Sequence, residues 1–260
     1  MPQPSDNNDA SAARVDDAID QVADADLALV TGGRAPSAKQ NLDRDRIVAA
    51  AITFIDDYGL PGLSMRRLGG VLGVEAMSLY RYVPGRENLL DAVVEAILAE
   101  MESDEEILDT PQNGWQDFLQ RLAHGIRRVA LSHPKAFPLV ASRPAEAPWL
   151  RPPLRSLRWV EAFLDGLISE GFADQAAVNA YRGFSSFLLG HLLLEVAALG
   201  ADVGPLDVID DTEDRNGKPM VFSTVDRLKD ALADDQAARE FEEALEGLLD
   251  RIALAQSEES

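Results

Sequence analysis

The 260-residue sequence contains no cysteine, so disulfide bonds and thiolate metal sites are both excluded. No stretch approaches the ~18 uninterrupted apolar residues of a membrane-spanning helix. The first residues also lack the basic-then-apolar pattern of a secretory signal. These absences favour a cytoplasmic protein with no membrane partner, although compositional bias is the better explanation of the missing thiols.

Motifs of common enzyme classes are missing too. The sequence has no phosphate-binding glycine loop, no nucleophile elbow and no HExxH zinc motif. Its three histidines, His124, His133 and His191, are scattered and do not form a catalytic constellation. We therefore expect no enzymatic activity, no catalytic residue, no metal site and no cofactor.

Negative charge is abundant but unevenly distributed along the chain. The formal net charge is −21, to which residues 1–40 contribute −4 and residues 91–260 contribute −17. Residues 41–90 hold six acidic residues and six arginines and are therefore neutral. Affinity for nucleic acid phosphates depends on locally placed cations and not on the total charge. The acidic total, which solubility alone would explain, does not exclude DNA as a partner.

The segment LSMRRLGGVLGVEAMSLYRYVPGRENLL, from Leu63 to Leu90, has the pattern of a helix-turn-helix. Ser64 is a good N-cap for a first short helix, because its side-chain oxygen can accept a hydrogen bond from an unpaired backbone N–H. Gly73 permits a tight turn at positive φ, and Pro84 with Gly85 ends a second short helix. Such a motif places its second helix in the major groove of DNA.

Apolar spacing predicts the inner and outer faces of this motif. We expect its inner side chains to be Leu68, Val71, Leu72, Val74, Leu79 and Tyr82. Gly69 and Gly70 are unusual inside a helix, where each costs about 0.5–1 kcal/mol relative to alanine. Either the two helices approach closely at these glycines, or Gly70→Ala would stabilise the motif.

The motif and its flanking segments resemble the TetR family of transcriptional regulators. The likeness starts with the upstream helix DRDRIVAAAITFIDDYGL and extends to about Met101. Weaker likenesses to the C-terminal domain of tetracycline repressors follow in HPKAFPLVASRP, FLLGHLLLEVAALG and REFEEALEGLLDRI. The resemblance implies a ligand-responsive regulator, usually a repressor, which binds double-stranded DNA at a palindromic operator as a homodimer. A small hydrophobic effector would release it.

The expected fold is all-α, with an N-terminal three-helix head that contains the helix-turn-helix and a larger helical domain. We predict a disordered acidic arm over residues 1–40, a DNA-binding domain over 41–88, and a ligand-binding and dimerisation domain over 89–260. The predicted dimer surface combines the helix Asp174 to Leu199 with the last helix. The last helix would contribute Phe241, Leu245, Leu248 and Ile252. Alternatively, these faces complete the core of each protomer.

Candidate DNA contacts lie on the outer side of the motif. They are Ser64, Arg66, Ala76, Met77, Ser78, Tyr80, Arg81 and Arg86. Ala76 and Met77 can touch thymine methyl groups, whereas Arg81 can bind either guanine or a phosphate. Arg66 and Arg86 match family positions that hold the DNA backbone.

Candidate effector contacts are aromatic residues with a few polar groups, a composition that suits a largely apolar ligand of drug size. They are Trp115, Phe118, Leu122, Phe137, Trp159, Phe187, His191 and Glu195, with His124 and Phe163 as further members. His191 and Glu195 are four residues apart on one helical face. They either bind a polar end of the ligand, or form an ordinary helical pair or a hydrogen bond across the dimer.

A helical DNA-binding or adaptor protein that senses no small molecule is the alternative function. The helix-turn-helix is compatible with both functions, whereas the resemblance of the C-terminal domain favours a sensor. The resemblance to tetracycline repressors would imply a magnesium–drug chelate as effector. The sequence lacks a clear signature of His and acidic residues for such a chelate, so this metal is not carried over, and whether a metal accompanies the effector stays open.

Overall fold

The computed structural model describes residues 42–103, 110–142, 157–203 and 222–259, which belong to one compact unit. The α-helices of these ranges are α1 (Arg44–Tyr58), α2 (Met65–Leu72), α3 (Ala76–Leu79), α4 (Arg86–Ser103), α5 (Trp115–Ser132), α6 (Phe137–Ser142), α7 (Leu157–Ser169), α8 (Asp174–Ala198), α9 (Ser223–Ala233) and α10 (Ala237–Glu259). A 3-10 turn at Leu60–Gly62 joins α1 to α2. The predicted all-α fold with an N-terminal helix-turn-helix is confirmed. The predicted disordered arm lies outside the described residues.

The head is built from α1, α2 and α3. At the start of α1, Asp43 accepts a hydrogen bond from the backbone N–H of Arg46 at 2.8 Å, as an N-cap does. Ile47, Phe54 and Ile55 then turn one face of α1 into the core, where each is almost completely buried. This face packs against α2 and α4, so the short helices of the motif are held by tertiary contacts.

The long helix α4 connects the head to the remainder of the protein. Its residues Leu89, Leu90, Val93 and Ile97 are buried. The same helix packs against α1 of the head and against α5 and α6 of the body, by which we mean α5 to α10. Both parts of the molecule therefore share α4 as a wall of their cores.

The body is arranged around α8, which packs against α5, α6, α7 and α10. One of our expectations for α10 is wrong. Phe241, Leu245 and Ile252 are buried against other helices of the same protomer, and Leu248 is half-buried. They complete the core of the protomer, because apolar side chains on the inner face of α10 are already covered by α8. A dimer surface would therefore use other residues of α8 and α10.

Candidate DNA-reading face and internal cavity

The turn between α2 and α3 has the geometry that the sequence predicts. Ser64 Oγ accepts a hydrogen bond from Arg67 N at 3.3 Å and caps α2. Gly73 has φ +70° and ψ +31°, a left-handed conformation that favours glycine. The N–H of Val74 donates to the carbonyl of Gly69 at 2.9 Å and closes the end of the helix. These bonds fix the direction in which α3 leaves α2.

The two glycines inside α2 have different environments. A Cβ on Gly69 would lie 2.8 Å from the carbonyl oxygen of Val74 and 3.2 Å from the nitrogen of Ala76. Because both are backbone atoms, they could not move aside without distorting the turn. A Cβ on Gly70 would meet nothing within 4 Å. A close approach between the two helices therefore explains Gly69 and does not explain Gly70.

Two residues that we expected on the inner face lie outside. Val71 is 54% exposed, because Met65, Leu68 and Gly69 form the buried face of α2. Tyr82 is 43% exposed and Val83 is buried in its place. The chain continues as a helical turn after α3, with the N–H of Val83 donating to the carbonyl of Leu79. This turn directs Val83, four residues after Leu79, into the core.

The outer side of α3 presents a compact set of side chains to solvent. Met77 is 75% exposed, Tyr80 and Arg81 are also exposed, and Ala76 and Ser78 are half-exposed. Arg66 is exposed on the outer side of the preceding helix. The fold thus brings these predicted DNA contacts to the surface of the head. Their contact with DNA stays a prediction.

Arg86 has a role within the protein itself. Its Nε donates to the backbone carbonyl of Leu63 at 3.3 Å, and a second nitrogen lies 3.5 Å from the carbonyl of Leu60. The guanidinium thereby ties the first residue of α4 to the loop before α2. Ser64, the other predicted contact in this region, is half-buried as the cap of α2. Contact of either residue with DNA remains a prediction.

An internal cavity of about 60 Å³ lies in the body between α4, α5, α6, α7 and α8. Its lining is almost entirely apolar and consists of Leu98, Met101, Leu122, Ile126, Phe137, Val140, Trp159, Phe163, Tyr181, Phe184, Ser185, Leu188 and Leu189. Leu98 and Met101 belong to the last part of α4. The helix that is anchored to the head by Arg86 therefore also forms one wall of the cavity.

Four predicted effector contacts meet in this cavity: Leu122, Phe137, Trp159 and Phe163. Trp115 and Phe118 are buried elsewhere in the body. The ring of Trp115 packs edge-on against Phe172, with 5.3 Å between centroids. Phe118 packs so closely on Gly166 that a Cβ there would lie 2.8 Å from its ring. Neither residue contributes to the lining described above.

The remaining predicted contacts cluster around Phe241. Phe187 and His191 both pack against its ring, with centroid distances of 5.9 and 5.3 Å. Glu195 is bonded to Arg127, from which both of its oxygens accept hydrogen bonds, one of them at 3.0 Å from Nε. His124 is about half exposed, with Nε2 3.5 Å from a carboxylate oxygen of Glu242. Binding of the effector by these residues is untested, and they lie outside the cavity lining.

Sequence reasoning missed the ion pair between Arg127 and Glu195. It joins α5 to α8 with side chains that are only 20% and 8% exposed. The hydrogen bonds with Glu195 raise the pKa of Arg127, against the effect of burial. An acidic residue inside an otherwise apolar run was a signal that a cation lies opposite, but nothing in the sequence identified which one.

The polar groups of the cavity wall are few. Tyr181 and Ser185, one helical turn apart, are joined by a side-chain hydrogen bond, and burial raises the pKa of Tyr181. The indole Nε1 of Trp159 is buried and has no hydrogen-bond partner among the described residues. Since a buried N–H without a partner costs about 1–3 kcal/mol, this atom is a candidate for contact with a ligand.

His133, at the end of α5, forms a bridge that sequence reasoning also missed. Its Nδ1 lies 2.7 Å from Asp56 of α1, and its Nε2 lies 3.0 Å from Glu100 of α4. Two carboxylates can both accept only if the ring is protonated. The hydrogen bond with Asp56, then that with Glu100, raises the pKa of His133, whereas burial lowers it. One charged side chain thus connects head, α4 and body.

Comparison with known proteins agrees with this arrangement of head, connecting helix and cavity. The model of a family described as "Tetracyclin repressor-like, C-terminal domain" matches residues 109–254. The chain belongs to the TetR family. This TetR-family chain is 33% identical over 160 residues to the HTH-type transcriptional repressor DrrR1 of Streptomyces coeruleorubidus. That match covers 61% of the chain but 56% of the relative, so the chain spans just over half the length of this repressor.

Solved TetR-family structures have the same fold. A possible TetR family transcriptional regulator from Streptomyces coelicolor A3(2) superposes with a TM-score of 0.63 at 28% identity, over 82% of this chain and 99% of that one. TetR-Q116A from Acinetobacter baumannii AYE, in complex with minocycline, superposes with a TM-score of 0.59 at 26% identity, over 84% and 96%.

The described part of this TetR-family protein contains neither a helix suited to a membrane nor a group of side chains suited to a metal ion. None of its described helices combines the length and apolarity that crossing a membrane requires. Within the same ranges, no three His, Asp or Glu side chains converge as a metal site would require.

Proposed function

We propose that this TetR-family protein is a repressor that binds a palindromic operator as a homodimer and leaves it when a small, largely apolar molecule occupies the internal cavity. The observation that carries the proposal is the position of α4. Leu89 and Leu90 near its start are buried at the head, and Leu98 and Met101 near its end line the cavity. A change in the cavity therefore acts on the helix that orients the head.

DNA would be read by the outer side of α3. Met77 offers apolar contact to a thymine methyl, Arg81 can donate two hydrogen bonds to guanine, and Tyr80 can reach a phosphate. The exposure of these side chains supports the assignment. A single α3 has room for few base contacts, so specific binding calls for two heads that are spaced about one turn of DNA, ~34–36 Å, apart.

Exposed small and apolar residues on the body support the dimer. Along α8, Ser186, Gly190, Leu194 and Ala198 form an exposed row at spacings of four residues, with Leu194 75% exposed. On α10, Gly247 and Leu254 are exposed as well. Small residues let two helices approach closely, and exposed leucines provide apolar area for a helical dimer interface.

Release would follow from the small size of the cavity. Its volume of about 60 Å³ is well below the ~300–1,000 Å³ of pockets that hold drug-sized ligands. A larger ligand must therefore displace parts of the wall, to which α4 contributes Leu98 and Met101. Ligand that binds the displaced arrangement more tightly shifts the protein towards it and away from DNA. The minocycline complex of the Acinetobacter baumannii protein supports a ligand-binding body of this kind.

The test combines selection of DNA with release by ligand. Duplexes bound by the full chain would be selected from random DNA, first alone and then with each member of a library of apolar compounds. We expect a palindromic site and at least one compound that reduces its affinity. In Leu188→Phe, the added ring fills the cavity, so DNA binding should persist while the compound loses its effect.

Leu164→Phe is the matched control, because Leu164 lies on α7 outside the cavity lining. It should respond to the compound as the wild type does. Binding of the selected DNA that no compound alters would favour the alternative, a DNA-binding protein without small-molecule sensing. Absence of preference for any duplex would contradict the proposal as a whole.

A further inference from the structure

The strongest unexplained feature beside the cavity is the indole N–H of Trp159, whose side chain contributes to the lining but whose Nε1 is itself covered. Trp159 lies on α7, is 7% exposed and contributes to the lining. Its Nε1 has no hydrogen-bond partner among the described residues. Buried tryptophan N–H groups usually find a partner, so a wall position without one indicates a place where a bound molecule supplies the acceptor.

The other polar side chains among the described lining residues already have a partner. Tyr181 and Ser185 are bonded to each other, and the described lining residues include no Asp, Glu, Lys, Arg or His. A charged group on the ligand would therefore lose its hydration without gaining an opposite charge. A single water would be held poorly, since it needs two to four polar partners.

We infer that Trp159 is the specificity-determining residue of the cavity, and that it selects uncharged apolar molecules that carry a carbonyl or ether oxygen as hydrogen-bond acceptor. The inference rests on the proposed function only in taking the cavity as the ligand site. It adds the chemical class of the ligand. Pure hydrocarbons of the same shape lack the hydrogen-bond acceptor, and carboxylates carry a charge that the described wall residues do not neutralise.

Two soluble single-ring probes test the acceptor directly. Acetophenone and α-methylstyrene have nearly the same shape, but acetophenone has a C=O group where α-methylstyrene has C=CH2. Dissociation constants of both would be measured by NMR titration of the full chain with ¹⁵N-labelled indole groups. The probes also differ in hydrophobicity, so neither dissociation constant is informative alone. The ratio of the two dissociation constants is therefore compared between wild type and Trp159→Phe.

We expect the wild-type preference for acetophenone, expressed as this ratio, to fall about tenfold in Trp159→Phe, the effect of one ordinary hydrogen bond. Trp115→Phe is the control and should leave the ratio unchanged, since Trp115 packs against Phe172 outside the lining. In the wild type, acetophenone should also move the Trp159 indole proton downfield, whereas α-methylstyrene should not. This second readout does not depend on the folding of the variant.

A ratio that is the same in wild type and Trp159→Phe, or an indole proton that responds equally to both probes, overturns the inference while the cavity remains a ligand site. Failure of both probes to bind the wild type overturns it together with the proposed role of the cavity. Release of the operator by the compound library is measured separately, so the two failures can be told apart.

Discussion

The head and the body differ in how far apart their functional residues lie along the chain. The predicted DNA contacts all fall between Ser64 and Arg86, and those on α3 reach the surface of one helix-turn-helix. The cavity, in contrast, is assembled from five helices, with lining residues from Leu98 to Leu189. A reading face can be built from one local motif, whereas a cavity needs distant segments to pack around it.

The two regions also differ in the surroundings of their arginine side chains. Arg81 is exposed to solvent, and Arg127 is largely buried against Glu195. Substitution in the head should therefore change DNA binding more than stability, and substitution in the body should do the reverse. Measuring DNA affinity and the free energy of unfolding on the same variants tests this contrast between head and body.

The largest expected effect is that of Arg127→Met on the body. This change leaves Glu195 buried and without its cation, which costs roughly 3–5 kcal/mol of unfolding free energy. Urea denaturation of the full chain, followed by circular dichroism, measures the loss. Arg121→Met on the same helix is the control, because the ion pair of Arg121 with Asp117 is more exposed and should contribute less than about 1 kcal/mol. Equal losses would contradict the contrast.

In the head, Arg81→Ala should change DNA binding more than stability. We expect a loss of about 1–3 kcal/mol in binding to the selected operator, with little change in stability, because an exposed arginine contributes to DNA contact and not to the core. Fluorescence anisotropy with labelled duplex at fixed salt measures the affinity. Arg227→Ala on exposed α9 removes the same charge far from the motif in sequence and should leave the affinity nearly unchanged. If both variants bind equally, α3 is not the reading helix.

Substitution of His133 tests whether its bridge between head and body contributes to the stability of the protein. Its raised pKa means that the added stability is complete below the unfolded value, about 6.5, and is lost as pH rises through the higher folded value. We therefore expect His133→Asn to lower stability by about 1–2 kcal/mol at pH 6 and progressively less towards pH 9. Thermal denaturation across this range measures it. A difference that stays constant with pH would show that the charge of the bridge contributes nothing.

The smallest expected effect belongs to the glycine pair of α2. Gly70→Ala should raise stability by about 0.5–1 kcal/mol, because a Cβ there meets no atom within 4 Å and alanine favours the helix. Gly69→Ala should lower stability, since its Cβ would press on the carbonyl of Val74. The melting temperatures of the two variants show whether the two substitutions change stability in opposite directions. A lowered melting temperature for Gly70→Ala would mean that the helix needs both glycines.

Much of the head could be predicted because its signals are local. The Ser64 cap, the left-handed Gly73 and the outward side of α3 depend on residues within a few positions of one another. Where the prediction failed, at Val71 and Tyr82, the error was one of helical register. Short helices have few apolar residues. Which side of such a helix turns to the core is therefore set by neighbouring helices such as α1 and α4, and not by its own apolar spacing.

The body was predicted less completely for the same physical reason. The boundaries of α8 were predicted as Asp174 to Leu199, and Asp174–Ala198 is the observed helix. Aromatic composition singled out Phe137 and Trp159, which both line the cavity, and their contact with an effector stays a prediction. It could not separate them from Trp115 or Phe187, which are equally apolar and equally able to fill a core.

By itself, the sequence determined the all-α fold, the helix-turn-helix and the family, because helical periodicity, caps and turn glycines act over short distances. Only the tertiary structure decided that Phe241 faces inward, that Arg127 partners Glu195, and that Trp159 N–H finds no acceptor among the described residues. These facts depend on which helices pack together. That outcome is a balance of packing and desolvation over the whole chain, and no local pattern encodes it.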